Sequence, residues 1–172
     1  MAIVSKENLK PQDIKSISVH VSPMTFGISC DTVCGKVQDP RTGLEGKFNQ
    51  QYCIANALLR GDTGLRAFTD EKVNDPQIRQ FMTKIYVWLD EKLTKLETRV
   101  EIEMESGAIF TETKDVMKEI PEIQSKKAKV KDKYIDLCTS VLGKQKMKDL
   151  MELILSLDKL DNMKELTDHI GI

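Results

Sequence analysis

The residue pattern predicts an α+β fold: a small sheet of about four mostly antiparallel strands with two or more helices, followed by a C-terminal helical segment. Three observations predict it. Apolar and polar residues alternate at residues 14–22, 85–89 and 100–113, the period of a strand with one buried face. Apolar stripes of helical period lie between the first and second of these runs. After Pro121 every apolar stripe has helical spacing.

The first strand reads IKSISVHVS, with Ile17, Val19 and Val21 on one face and Ser16, Ser18, His20 and Ser22 on the other. His20 thus falls on the polar face. From Pro23 to Gly46 the chain carries Pro23, Gly27, Gly35, Pro40, Gly43 and Gly46, which predicts irregular or only briefly structured backbone. Lys47–Arg60 then has Phe48, Tyr52, Ile54, Ala55, Ala57, Leu58 and Leu59 on most faces, the pattern of a helix buried between layers, ended by Gly61 and Asp62. Asp75-Pro76 is an N-cap followed by proline at the first helical position, with Ile78, Phe81, Met82 and Ile85 as the apolar stripe.

Alternation of Ile85, Val87 and Leu89 marks a strand handed over from that helix. Val100, Ile102 and Met104 alternate with Glu101, Glu103 and Glu105, and Ser106-Gly107 supplies a two-residue turn into Ile109, Thr111 and Thr113. That turn predicts Met104 opposite Ile109 and Ile102 opposite Thr111 on one core face. The glutamates then lie on the solvated face with nothing to polarise them, a poor basis for paired-carboxylate catalysis. Beyond Pro121, Val130, Tyr134, Leu137 and Val141 form one helical stripe ended by Gly143. Met147, Leu150, Met151, Ile154 and Leu157 form another, and Asn162 with Glu165 resembles a capping box for a short last helix. The layout implies an α+β domain over residues 10–120 and C-terminal helices over 121–172.

Composition narrows the function classes. A chain of 172 residues can bury roughly 70% of its unfolded surface, enough for a real core. With 26 basic and 27 acidic residues the net charge is −1, so no basic surplus exists to neutralise a phosphate backbone, and nucleic acid is not an expected partner. Lys126, Lys127, Lys129, Lys131 and Lys133 make a local basic run, read either as a solvated helix start or as a face meeting an anionic surface. No apolar stretch approaches the ~20 residues that span a bilayer, and no secretory signal is visible at the N-terminus, so neither membrane insertion nor export is expected. Cys30, Cys34, Cys53 and Cys138 are scattered, without a disulfide framework, and two thiols lacking nearby histidines make a poor zinc site. Reduced thiols and a cytoplasmic location are the expectation.

The run Lys47–Asp75 carries more. The pattern KF-x-x-x-YC-x-A-x-ALL-x-G is formed by Lys47, Phe48, Tyr52, Cys53, Ala55, Ala57, Leu58, Leu59 and Gly61. F-T-D-E-K-V-x-D-P follows in Phe68, Thr69, Asp70, Glu71, Lys72, Val73, Asp75 and Pro76. In these motifs the chain resembles the MmgE/PrpD family, which includes 2-methylcitrate dehydratase, cis-aconitate decarboxylase and iminodisuccinate epimerase. The leading strand resembles the entry into the family's smaller α+β lid domain, and the tail KMKDLMELILSLDKLDNMKELTDHI resembles the helices that return to its large helical domain.

The resemblance implies cofactor-independent, metal-free chemistry: a base removes a proton beside a carboxylate of a small di- or tricarboxylic acid, and positive groups hold the resulting charge. Dehydration of a 2-methylcitrate-like substrate is the first expectation, with decarboxylation or epimerisation as alternatives. The family's active site lies between the helical domain and the lid, and most of its acid–base residues sit upstream of the first lid strand. The chain is therefore expected to be incomplete alone, either truncated or split, and to form a homo-oligomer such as a dimer or to associate with a helical domain. Alternatives of another class are a non-catalytic carboxylate-binding module and an oligomerisation module.

One candidate catalytic residue carries over, Tyr52, which matches the tyrosine that the family places in the cleft from the lid side. Its implied role is hydrogen bonding to a substrate carboxylate or assistance in proton transfer. Its spacing with Phe48, Ala55 and Leu59 on one helix face also fits a core position with a satisfied hydroxyl. Asn49, Gln50 and Gln51 flank it. Neither His20 nor His169 has an evident partner, and no substrate-binding residue is assigned.

Overall fold

The computed structural model describes residues 2–29, 39–118 and 122–170, and the chain divides into two compact units, Met1–Ile120 and Pro121–Ile172. The first unit is built on a four-stranded mixed sheet: β1 (Ile14–Val21), β2 (Ile85–Leu89), β3 (Glu97–Met104) and β4 (Ile109–Asp115), in the order β2-β1-β3-β4. β1 runs parallel to β2 and antiparallel to β3, and β3 pairs antiparallel with β4. Because the parallel pair needs a crossover, the chain between β1 and β2 is that connection.

Six short helices belong to this unit among the described residues: α1 (Ala2–Lys6), α2 (Pro23–Ser29), α3 (Gly43–Lys47), α4 (Gln50–Arg60), α5 (Asp70–Val73) and α6 (Pro76–Met82). Ile17, Val19 and Val21 of β1, Ile85 and Val87 of β2, and Ile102 and Met104 of β3 turn one sheet face into the core. Tyr52 and Ala55 of α4 and Ile78, Phe81 and Met82 of α6 pack in the same core. Ile14 joins them through a register irregularity between Ile14 and Ser16, which shifts the alternation by one residue. The opposite sheet face carries Tyr86 and Trp88, both 38% exposed and stacked with centroids 6.4 Å apart.

Two local expectations need correction, the start of the long helix and the hairpin register. The segment 23–46 is briefly structured, as expected, in α2 and α3. Ser22 is fully buried and accepts from the Thr25 amide (3.3 Å), so Pro23 falls in the first turn of α2, where its missing N–H costs nothing. Thr42 and Glu45 form a capping box that starts α3. The thiols Cys30 and Cys34 lie outside the described residues.

The long helix begins at Gln50 rather than Lys47, because the Asn49 side chain accepts from the Tyr52 amide (2.7 Å) and caps α4 there. It is also one-sided within its unit, burying Gln51, Tyr52, Ala55 and Asn56 while Leu59 stays 40% exposed, and Phe48, which precedes the helix, is 57% exposed.

The hairpin register differs from expectation by one residue: Ile102 pairs with Phe110 and Glu103 with Ile109. Met104 donates to Ala108 (2.9 Å), so the loop is the three residues Glu105, Ser106 and Gly107, with Gly107 at φ +84°. A three-residue loop with glycine in the left-handed region is a standard hairpin closure, and the slip flips every β4 side chain. Ile109, Thr111 and Thr113 therefore share the glutamate face, and Phe110 packs on the core instead.

The second unit contains α7 (Ile123–Leu142), α8 (Lys144–Leu155) and α9 (Lys164–Ile170). Gly143, at φ +77°, reverses the chain so that α8 folds back on α7. The Tyr134 hydroxyl donates to the Met147 carbonyl (3.1 Å), and Met147 and Leu150 are buried. α7 has no buried residue, and Ile123, Val130, Val141 and Leu155 are each at least 60% exposed.

Candidate functional site

The motif-bearing stretch folds into a tight hydrogen-bonded knot, and most of its residues serve that knot. Gly43 lies so close to the Phe68 backbone that a Cβ would overlap its carbonyl, and the Gly43 amide donates to the Asp70 carboxylate (2.7 Å). At Gly46 a Cβ would come within 2.7 Å of the Val73 side chain and 3.2 Å of the Tyr52 ring. Thr69 caps α5 and Asp75 caps α6. Asp75 Oδ1 accepts from the Gln77 and Ile78 amides (2.8 and 3.3 Å), and its Oδ2 accepts from Arg60 (2.5 Å). Burial raises the Asp75 pKa, but those amide bonds and the Arg60 charge outweigh it and hold the group below the usual carboxylate range.

Tyr52 is completely buried at the centre of the knot. Its hydroxyl donates to the Ala67 carbonyl, and its ring lies against Phe68 with centroids 5.9 Å apart, tilted by 59°. Burial raises the phenol pKa, while the nearby Arg60 charge opposes the rise. The hydroxyl is therefore a neutral donor at neutral pH, not a base.

Two residues that sequence reading did not single out share the face of Tyr52. Asn56, at i+4, is buried and donates its amide to the Asp62 carbonyl. Arg60, at i+8, reaches Asn56 Oδ1 (3.3 Å) as well as Asp75. The spacing of the three was visible in the sequence, since residues four apart stack along one helix face. Their common direction was not, because nothing in the motif announces that the segment 62–67 lies over them. The flanking Asn49 and Gln51 are buried, with Asn49 spent on capping α4.

A groove of about 720 Å³ lies elsewhere in this unit, with Gln12, Gln77, Gln80 and Lys84 as its polar lining and Leu58 and Phe81 as apolar walls. Lys84 donates to the Ile14 carbonyl (2.5 Å) and stands 3.8 Å from Glu105, so much of its charge is already engaged. A smaller, mainly apolar cavity of about 190 Å³ lies under α1, walled by Ile3, Ile54, Val100 and Ile102. Tyr52 lines neither space.

On the open sheet face His20 is mostly buried, and its Nε2 stands 3.7 Å from a Glu101 oxygen, too far for a hydrogen bond. Arg99 is held between Asp90 and Glu101, each at 3.2 Å. Glu103 is engaged by Lys15 (2.7 Å) and Ser16 (3.2 Å). The side chain of His169 lies outside the described residues. Among the described residues, no three His, Cys, Asp or Glu side chains converge as a metal site, and no helix is long and apolar enough to cross a membrane.

The family profile of the MmgE/PrpD C-terminal domain matches residues 1–159. The chain belongs to the MmgE/PrpD family. The match takes in the whole sheet unit together with α7 and α8, so the MmgE/PrpD motifs and the knot they build are part of one continuous similarity. No curated protein matches the chain.

Proposed function

We propose that this chain forms the lid-side half of a MmgE/PrpD enzyme that acts without a cofactor on a small di- or tricarboxylic acid, in the first instance by dehydrating a 2-methylcitrate-like substrate. In this reading residues 10–120 are the lid and residues 121–172 pack against a helical domain. The observation that carries it is the family match over residues 1–159, and Tyr52, buried at the motif position with its hydroxyl bonded to Ala67, supports it. The apolar side chains left exposed on α7 and α8 support an association of the second unit with further helical surface.

The reaction begins with removal of a proton beside a substrate carboxylate, which develops enolate charge on that group. Loss of the neighbouring hydroxyl with a proton then completes dehydration. A neutral, buried phenol suits one part of this: it donates a hydrogen bond to the carboxylate where charge grows. For that to happen, the Tyr52 hydroxyl must exchange its bond to Ala67 for one to the substrate. The base, the remaining charge-holding groups and the proton donor come from the helical side. Decarboxylation and epimerisation share the same carbanion-forming logic and place the same demand on Tyr52.

Turnover measurements on the chain alone and mixed with a MmgE/PrpD helical domain test the proposal. The expected result is no dehydration of 2-methylcitrate by the chain alone and measurable turnover with the helical domain added. Full turnover by the 172-residue chain alone contradicts it.

A further inference from the structure

The cavity of about 190 Å³ under α1 is graded in polarity along the sheet. Thr98, Val100 and Ile102 line it from β3, and Glu112 and Lys114 line it from β4. In the strand register Val100 lies opposite Glu112 and Thr98 opposite Lys114. At the other end Ile102 lies opposite Ile17 of β1, and these two are only 2% and 1% exposed. Alternate residues of a strand stand roughly 7 Å apart, so the lining passes from apolar to polar over roughly 14 Å. Ile3 of α1 and Ile54 of α4 complete the apolar wall.

The space exists because α1 has only five residues and brings only Ile3 and Val4 to it. Close-packed interiors hold few voids larger than a water molecule, so one of this size is a feature to be filled. An apolar cavity of about 150 Å³ stays dry and takes a benzene-sized guest, and the space here suits a chain of about six carbons. The polar end selects the head of that chain. Lys114 Nζ and Glu112 Oε1 stand 3.9 Å apart, with Thr98 on the neighbouring strand. A carboxylate head would meet the Glu112 charge and an ammonium head the Lys114 charge. A hydroxyl or carboxamide escapes both conflicts, because it accepts from the lysine and donates to the glutamate.

We propose that this cavity is a binding site for a linear aliphatic compound of about six carbons with an uncharged head that both donates and accepts hydrogen bonds. Its chain lies against Ile17, Ile54 and Ile102, and its head lies among Thr98, Glu112 and Lys114. The site is independent of the lid-side reading, since Tyr52 lines no part of the cavity.

1-Hexanol is the probe, and the methyl NMR spectrum of the 172-residue chain is the readout. Saturable shifts are expected at the Ile17, Ile54 and Ile102 methyls, half complete near ~1 mM. Hexanoate and hexylamine should bind at least ~5-fold more weakly. Val100→Phe fills the cavity and should abolish the shifts while circular dichroism stays unchanged. Ile54→Ala enlarges it and should move the preference from 1-hexanol toward 1-octanol by ~3-fold or more. Glu112→Gln removes the conflict with a carboxylate, so hexanoate should then bind as well as 1-hexanol. Gln80→Ala, in the separate groove, should change nothing. The proposal is overturned if the 1-hexanol shifts fail to saturate or centre on the separate groove. It is equally overturned if a folded Val100→Phe keeps them, or if hexanoate binds the unaltered chain as tightly as 1-hexanol. Where Val100→Phe does not fold, an unchanged chain-length preference in Ile54→Ala overturns it instead.

Discussion

At the scale of single residues, the motif that points to the family is mostly architecture. Glycines 43 and 46 are there because backbone and rings approach too closely for a Cβ. Gly43→Ala is expected to cost about 3 kcal/mol, since it must push backbone rather than a flexible side chain, and Gly46→Ala about 1–2 kcal/mol, by urea denaturation. Tyr52→Phe keeps the ring but strands the Ala67 carbonyl, and should cost about 1–2 kcal/mol in the same measurement. A loss below about 0.3 kcal/mol for Tyr52→Phe would show that the bond to Ala67 contributes nothing. The sequence made Tyr52 conspicuous but left open whether it is core or cleft. The structure buries it with its hydroxyl satisfied, which fits the core spacing, while a cleft role stays a matter of exchanging one oxygen for another.

At the scale of elements, helix ends are set by named caps, and these carry a pH signature. Asp75 caps α6 and pairs with Arg60, and its folded pKa is depressed. Its charge therefore stabilises the fold above about pH 4 and that contribution fades as pH falls through its lowered folded value. Asp75→Asn keeps a capping side chain but no charge, so it should be less stable than wild type at pH 7, with the gap closing on acidification toward pH 3. A gap independent of pH would contradict the ion-pair assignment.

Elements were legible where a strong local pattern existed. Strand β1 shows clean alternation, and Asp75-Pro76 announces α6. Illegible were features set by competing turn chemistry. Ser106-Gly107 read as a two-residue turn, but Gly107 serves a three-residue loop and reverses the face of Phe110. The helices α2 and α3 were legible only as brief structure among glycines and prolines, although the Thr42–Glu45 box was present in the sequence. The donors Asn56 and Arg60 escaped notice because long-range folding, not local pattern, lays the segment 62–67 over them.

At the scale of the whole molecule, each unit leaves apolar surface uncovered in its own way. In the helical unit, α7 buries none of its residues and α8 buries two. In the sheet unit, Tyr86 and Trp88 stand half-exposed on the open face. Surface of this kind favours association, so light scattering of the 172-residue chain should show concentration-dependent self-association that a helical MmgE/PrpD domain competes away. A monomer at all concentrations would count against the second unit as a packing surface. In the proposed enzyme the knot at Tyr52 is one wall of the active site. The most direct measurement is kcat/KM for 2-methylcitrate of the assembled two-part enzyme carrying Tyr52→Phe. A fall of roughly 100-fold or more, with assembly intact, is the predicted result, in line with removal of one preorganised donor. Wild-type kcat/KM in that variant would contradict it and leave Tyr52 a core residue alone.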